Sequence, residues 1–386
     1  MAAAGAACIF SPSGARYEPR WIIAALFAIH LAICLASIGW STNPPMTLRR
    51  TAMVVVCALA AAGIGRQFNY RELMIFMVGL AASYAALGLF AEATLGVLRP
   101  WEAGYRFAGT VHPNEQGMLC GAILVGAVLL SIEFRRYRLV LWALAAAAAI
   151  GLLLTRSRTA LIATTGAFSL SLLLLLPLRY WPHVFTFGGL SLASVIAAVA
   201  AIPPRLLGGL GGVLLLGRSE DAGSLTGRLP VWEGILPYLR ERPWLGFGYR
   251  AFWDQARVEA FTDLTGGWQV PDSHNSYLEL VLSVGVVGAA PFFLGMLLAL
   301  LIFARRAMRT GCVASAFFAG ILVSLFIGGL TEATLFNNSM FSCLMASCAI
   351  ARLILHRGAE DPPFPQTSAR AETIDAPLSP PALEGA

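Results

Sequence analysis

The stretch Asp272-Ser273-His274-Asn275-Ser276-Tyr277 opens an apolar run, 276–304, that contains Gly285 and Gly288. That run exceeds the ~20 apolar residues needed to cross about 30 Å of hydrocarbon, so it reads as a membrane helix entered from a polar segment. A histidine at such a junction stands where a lipid-borne group meets a water-borne one. Seven further runs precede it, at 21–40, 47–65, 73–95, 114–132, 139–155, 159–178 and 184–202, and two follow, at 312–330 and 339–355. The expected fold is all-α: a polytopic integral membrane protein of about ten transmembrane helices with one large extracytoplasmic loop.

Composition supports this reading. Hydrophobic residues make up 58% of the chain and charged residues 12%, against about 25% charged in a soluble domain. Every basic residue is arginine, so the net charge of +6 is all guanidinium. With the N-terminus inside, the cytoplasmic loops hold thirteen arginines and the short outside loops six, the excess expected of the positive-inside rule. Both termini are therefore expected in the cytoplasm. The division is 1–20 as a cytoplasmic segment, 21–202 as the first helices, 203–275 as an outside loop, 276–356 as the last helices, and 357–386 as a disordered tail rich in proline and acidic residues. The basic balance reflects orientation and implies no nucleic acid. The first residues lack a cleavable signal pattern. The seven cysteines lie almost entirely within spans, with no CxxC pair, and read as small apolar filler.

Polar residues are scarce and fall at three outward stations. The first, Tyr105 to Gly117, contains His112-Pro113-Asn114, and Pro113 suits a helix start because the N–H it lacks would be unpaired there. His112 and Asn114 read as a membrane-entry turn or as substrate contacts. The second is Thr155-Arg156-Ser157-Arg158-Thr159, a very short link between two spans. Two arginines there oppose the inside bias; they are either snorkelling anchors or ligands for an anion, which a guanidinium fork binds bidentately. Arg158 is the better candidate because it begins the next helix. In the large loop, 208–217 reads as a re-entrant or membrane-skimming segment or a flexible linker, and 231–242 as a helix with Trp232, Ile235, Leu236 and Leu239 on one face. Arg228 precedes that helix, where main-chain N–H groups also favour an anion, and Pro243 to Gly248 breaks it. His274 is expected in the first turn of the helix that follows, capped by Asp272 or Ser273, as a general base. His30, His183 and His356 read as packing or interface residues.

These stations, in this order, resemble the O-antigen ligase superfamily, which includes Wzy-type and exopolysaccharide polymerases. The resemblance covers roughly 104–334. It rests on His112-Pro113-Asn114, Ser157-Arg158-Thr159, Gly227-Arg228 with Trp232, Pro243 to Gly248 with Phe252, and on His274-Asn275 followed after nine residues by Gly285 and after two more by Gly288. It implies a GT-C-like membrane glycosyltransferase of the bacterial inner membrane, with its active site facing the periplasm. The donor would be an undecaprenyl-pyrophosphate-linked glycan and the acceptor a hydroxyl of a glycan or of lipid A-core. By resemblance, Arg158 and Arg228 hold the pyrophosphate and His274 activates the acceptor, with Arg156, His112, Asn114, Asp272 and Asn275 in support.

No Asp-x-Asp pair or His/Cys cluster points to a metal, and no cofactor is expected, since two cations can neutralise a leaving pyrophosphate. A transporter of an anionic solute is the alternative from another class. It would place its charges near the midplane in broken or repeated halves, whereas these arginines cluster at the outer helix ends.

Overall fold

The computed structural model describes residues 20–102, 104–183, 186, 227–333, 335 and 341–355. Among them are eleven α-helices and no strand: α1 Trp21–Ala36, α2 Pro44–Gln67, α3 Tyr70–Thr94, α4 Pro113–Glu133, α5 Arg138–Leu154, α6 Arg158–Leu175, α7 Arg228–Glu241, α8 Gln255–Leu264, α9 Ser276–Thr310, α10 Val313–Gly328 and α11 Phe341–Ile354. Seven are long and apolar enough to cross a membrane, α1 counting with the 3-10 turn that continues it, and α10 and α11 are shorter apolar helices. The chain is a polytopic membrane protein. Nine of the ten expected spans coincide with these helices, and α9 continues past 304 to Thr310. The tenth, 184–202, lies almost wholly outside the described residues, as do 203–226, the N-terminal segment before Arg20 and the tail.

Helix starts follow local chemistry. Asn43 accepts from the Met46 N–H ahead of Pro44 and Pro45, Asn69 and Glu72 form a capping box on α3, and Ser157 caps α6. Each occupies main-chain donors that the first helical turn leaves unpaired.

α4 forms the axis of the bundle. It is buried over 83% of its spanning stretch, against 17–33% for the other long helices. Its main neighbours are α5, α6 and α3, with α10 and α11 also against it. On its α6 face Gly117 and Gly121 recur at the small-xxx-small spacing that lets membrane helices approach closely. A Cβ on Gly121 would overlap the Thr164 hydroxyl, and one on Gly117 would lie 2.7 Å from the Ala160 methyl.

Residues 227–275 build a small subdomain on α7 and α8. Its aromatic core joins Val231, Ile235, Phe247, Phe252, Trp253, Phe261 and Val270 to Leu282 of α9. Arg257 lies over the rings of Phe252 and Phe247, at 4.8 and 5.3 Å. The expected face on α7 is corrected in part. Val231 and Ile235 turn inward, whereas Leu236 is 45% exposed.

This subdomain is fastened to a break in α9. At Gly285 the backbone has φ 64° and ψ −175°, a region open essentially to glycine alone. The turn frees the carbonyls of Leu282 and Ser283, which accept the N–H groups of Phe247 and Gly248, at 2.8 and 3.0 Å. In return Val286 and Val287 donate to the carbonyls of Pro243 and Trp244. Non-helical backbone at membrane depth is tolerated only where protein satisfies it, and residues 243–248 do so here. Gly288, three residues on, offers its carbonyl to His30 Nδ1 at 2.8 Å, so His30 is a buried packing histidine.

Candidate active site

The start of α9 is built differently from the expectation. Its cap is Asn275, not Asp272 or Ser273: the Asn275 Oδ1 accepts from the N–H groups of Tyr277 and Leu278 at 2.9 and 3.0 Å. His274 therefore lies outside the first turn, in the left-handed region at φ 46°. Asp272 holds that bend by accepting the His274 N–H at 2.8 Å, the local Asx hydrogen bonding to which aspartate is suited. The bend is also held from behind. Ser273 N–H donates to Glu279 and its carbonyl accepts from the Trp232 indole. The ring of His274 stacks on Trp268, centroids 4.9 Å apart.

The residue that organises the site is Glu332, in the turn after α10. Its main chain is pinned to the start of α9, with its carbonyl taking the Ser276 hydroxyl at 2.9 Å. Its Oε1 accepts from Arg228 Nη2 at 2.5 Å and from Asn114 Nδ2 at 2.6 Å. Its Oε2 stands 3.4 Å from His274 Nδ1, while Asp272 Oδ1 is 3.8 Å from the same nitrogen. One carboxylate thus gathers residues from α4, α7 and the loop before α9. The three ionisable side chains are 14–18% exposed, so their charges are only partly screened. Burial alone would push the Glu332 carboxyl up. The hydrogen bond with His274 and the charge of Arg228, with His274 and His112 behind them, outweigh it and hold the carboxyl below the ordinary glutamate value.

A cavity of about 190 Å³ opens beside this cluster, lined by His112, Asn114, Glu115, Met118, Thr159, Pro271, Asp272, His274, Glu332 and Ala333. The structure therefore brings His274, His112, Asn114 and Asp272 to one cavity, with Arg228 joined through Glu332. His112 also caps α4, its Nδ1 accepting the Asn114 N–H. Arg228 is the first residue of α7, not a residue ahead of it. Arg158 does begin α6, one residue before the cavity-lining Thr159. Neither Arg158 nor Arg156 is among the lining residues. Arg156, like His274 and Arg250, is a non-glycine residue at positive φ, 49°, in a turn that Arg106 tethers by donating to the Thr155 carbonyl. Arg106 also donates to Asn114 Oδ1 at 3.0 Å, extending the network to a further cation. Asn275, besides capping, donates to the Leu330 carbonyl.

Sequence reasoning missed Glu332, Trp268 and Arg106. The signal for Glu332 was present: it is the one acidic residue between Glu279 and Glu360, and an ionisable residue among membrane spans is a functional candidate by default.

Chemically, the arrangement offers cations for an anion, a carboxylate against one ring nitrogen of a histidine, and open space beside that ring. Comparison with known proteins gives the same direction. Residues 143–293 match the family described as O-Antigen ligase, a stretch that runs from α5 through the break in α9. The exopolysaccharide production protein ExoQ of Rhizobium meliloti is 28% identical over 295 residues, covering 68% of this chain. The matched part spans 61% of that relative's length. Both findings make O-antigen ligase and an exopolysaccharide production protein what this chain is similar to.

Proposed function

We propose that the chain transfers a glycan from an undecaprenyl-pyrophosphate donor to an acceptor hydroxyl at the outer face of the bacterial inner membrane. The observation that carries this reading is the meeting of Arg228, His274 and Asn114 on Glu332, beside an open cavity at a helix end. Arg228, with Arg158 from the α6 start, neutralises the pyrophosphate as the glycosidic bond breaks. His274 takes the proton of the acceptor hydroxyl, which attacks the anomeric carbon. His112 and Asn114 line the acceptor side, and Asp272 keeps the His274 bend in place. The relative's name makes exopolysaccharide extension the first acceptor to test, with lipid A-core as the other.

The test is transfer from purified lipid-linked glycan, with and without chelator. General-base catalysis contributes about 10²- to 10⁴-fold, so His274→Ala should lose turnover on that scale while still binding donor. Arg228→Ala and Arg158→Ala should lose donor binding, with lysine a poor substitute for the guanidinium fork. Near-normal transfer by His274→Ala, or loss of transfer on adding chelator, would refute the mechanism.

A further inference from the structure

We propose that Glu332 is a positioning residue that couples donor capture to the base: without donor it is held by Arg228, and a pyrophosphate that takes Arg228 releases the carboxylate to His274. This inference rests on the glycan-transfer reading of the same site and adds a role to it.

The geometry around the carboxylate is lopsided. Oε1 carries both Arg228 and Asn114, at 2.5 and 2.6 Å, while Oε2 faces the ring nitrogen at 3.4 Å. That last separation is longer than the ~2.7–3.2 Å of a well-formed N–H···O bond. Asp272 does not make up the difference, because its Oδ1 already receives the His274 main-chain N–H and stands 3.8 Å from the ring. His274 Nε2 is buried and has no hydrogen-bond partner among the described residues. So the ring is stacked on Trp268 but only loosely held by the group that would fix its tautomer.

Both the pyrophosphate and the carboxylate suit the Arg228 fork, and the more highly charged anion wins that competition. The displaced carboxylate is also repelled by the pyrophosphate. Its main chain cannot follow, being fixed by Ser276, so the side chain turns toward the nearest donor, the His274 Nδ1–H. The other charged groups facing it are Glu115 and His112 at the α4 start and Asp272 in the bend. Asp272 already stands 3.8 Å from His274 Nδ1 and Glu115 lines the same cavity, so both like charges face the carboxylate in either position. With Nδ1–H engaged, Nε2 is the nitrogen that accepts a proton.

In the transfer itself, the acceptor oxygen forms a bond to the anomeric carbon and the bond from that carbon to the pyrophosphate oxygen breaks. Its electron pair leaves with the lipid pyrophosphate, and the acceptor proton moves to Nε2. The imidazolium so formed is paired with the Glu332 carboxylate until it passes the proton to water.

Binding and turnover should therefore move in opposite directions in Glu332→Gln, which no merely structural role predicts. Binding is measured with polyprenyl pyrophosphate on the purified chain in detergent, and turnover with lipid-linked glycan at saturating donor. Glu332→Gln removes the competitor and should bind the probe roughly tenfold more tightly, the scale of one charged hydrogen bond, while turnover falls at least tenfold. Combining it with Arg228→Ala should abolish the gain in binding. Unchanged or weaker binding, or unchanged turnover, in Glu332→Gln overturns the proposal. Should that variant not fold, Glu332→Asp carries the test. Its retracted carboxylate should lower turnover without weakening probe binding, and turnover equal to the unmodified chain overturns the idea. If His274→Ala keeps its activity, the glycan-transfer reading itself falls. If His274→Ala is inactive but Glu332→Gln is not, only the coupling falls.

Discussion

Gly285→Ala would put a methyl group where the chain has none to spare. The new Cβ would fall well inside 3.0 Å of the Trp244 carbonyl and of the Leu245 nitrogen, and both are main chain. Neither can rotate aside, because they belong to the turn whose hydrogen bonds close the break in α9. Alanine must also adopt φ 64° with ψ −175°, a conformation that costs a non-glycine residue of order 1–3 kcal/mol. Overpacking adds about 1–3 kcal/mol, and each main-chain bond loosened as the turn backs away costs about 0.5–1.5 kcal/mol net. The expected loss is about 3–6 kcal/mol on these scales, a large part of the ~5–15 kcal/mol typical of a folded domain. Thermal unfolding of the purified chain in detergent should show it as a melting temperature lowered by several degrees or more. Gly79→Ala, in α3 with nothing within 4 Å of the new methyl, is the control and should melt like the unmodified chain. A Gly285→Ala curve that overlays the unmodified one would refute the account of the break.

Two other outcomes follow from the site. Asn275→Ala removes the α9 cap and the hold on the Leu330 carbonyl; stability should fall by about 0.5–2 kcal/mol in denaturant titration, and transfer should fall with it because the His274 bend is tied to that cap. Glu332 is held below the ordinary glutamate value of about 4.3, so its ionised form stabilises the fold above that pH, and the stabilisation is lost as pH falls through the depressed native value. Melting temperature against pH should accordingly drop in the acid range, and Glu332→Gln should flatten part of that drop; an unchanged slope would contradict the assignment of the ion pair.

The fold was legible because hydrocarbon imposes a length. Each apolar run long enough to cross it, where described, is a helix, and Pro113, Ser157 and Arg158 mark helix starts in the places where local chemistry puts them. The site was legible residue by residue but not as an arrangement. His274, Arg228, Asn114 and His112 could be selected singly, since polar groups are costly near lipid. What draws them together is one glutamate more than fifty positions after His274, and no spacing rule connects them. The bend at His274 was misplaced for a related reason. Asp272, Ser273 and Asn275 are all competent caps, and the choice fell to Asn275 because its amide also reaches the Leu330 carbonyl across the bundle. The glycine at 285 was visible as part of a pattern, but its backbone angles depend on a loop that docks from some forty residues earlier.

At Trp244 and Leu245 that docking is made by main-chain groups, and a contact of this kind is indifferent to the side chains those two residues carry. Trp244 and Leu245 point away from α9, 66% and 46% exposed, while their carbonyl and amide groups sit against it. A Cβ on Gly246 would lie 2.6 Å from the Leu282 carbonyl, so that glycine is as constrained as Gly285. The seam is therefore a fixed backbone joint carrying interchangeable ornaments. Exchanging Trp244 or Leu245 resurfaces the molecule beside the break in α9 without moving the joint, a route by which related chains can differ in what they meet there while the backbone stays in one place.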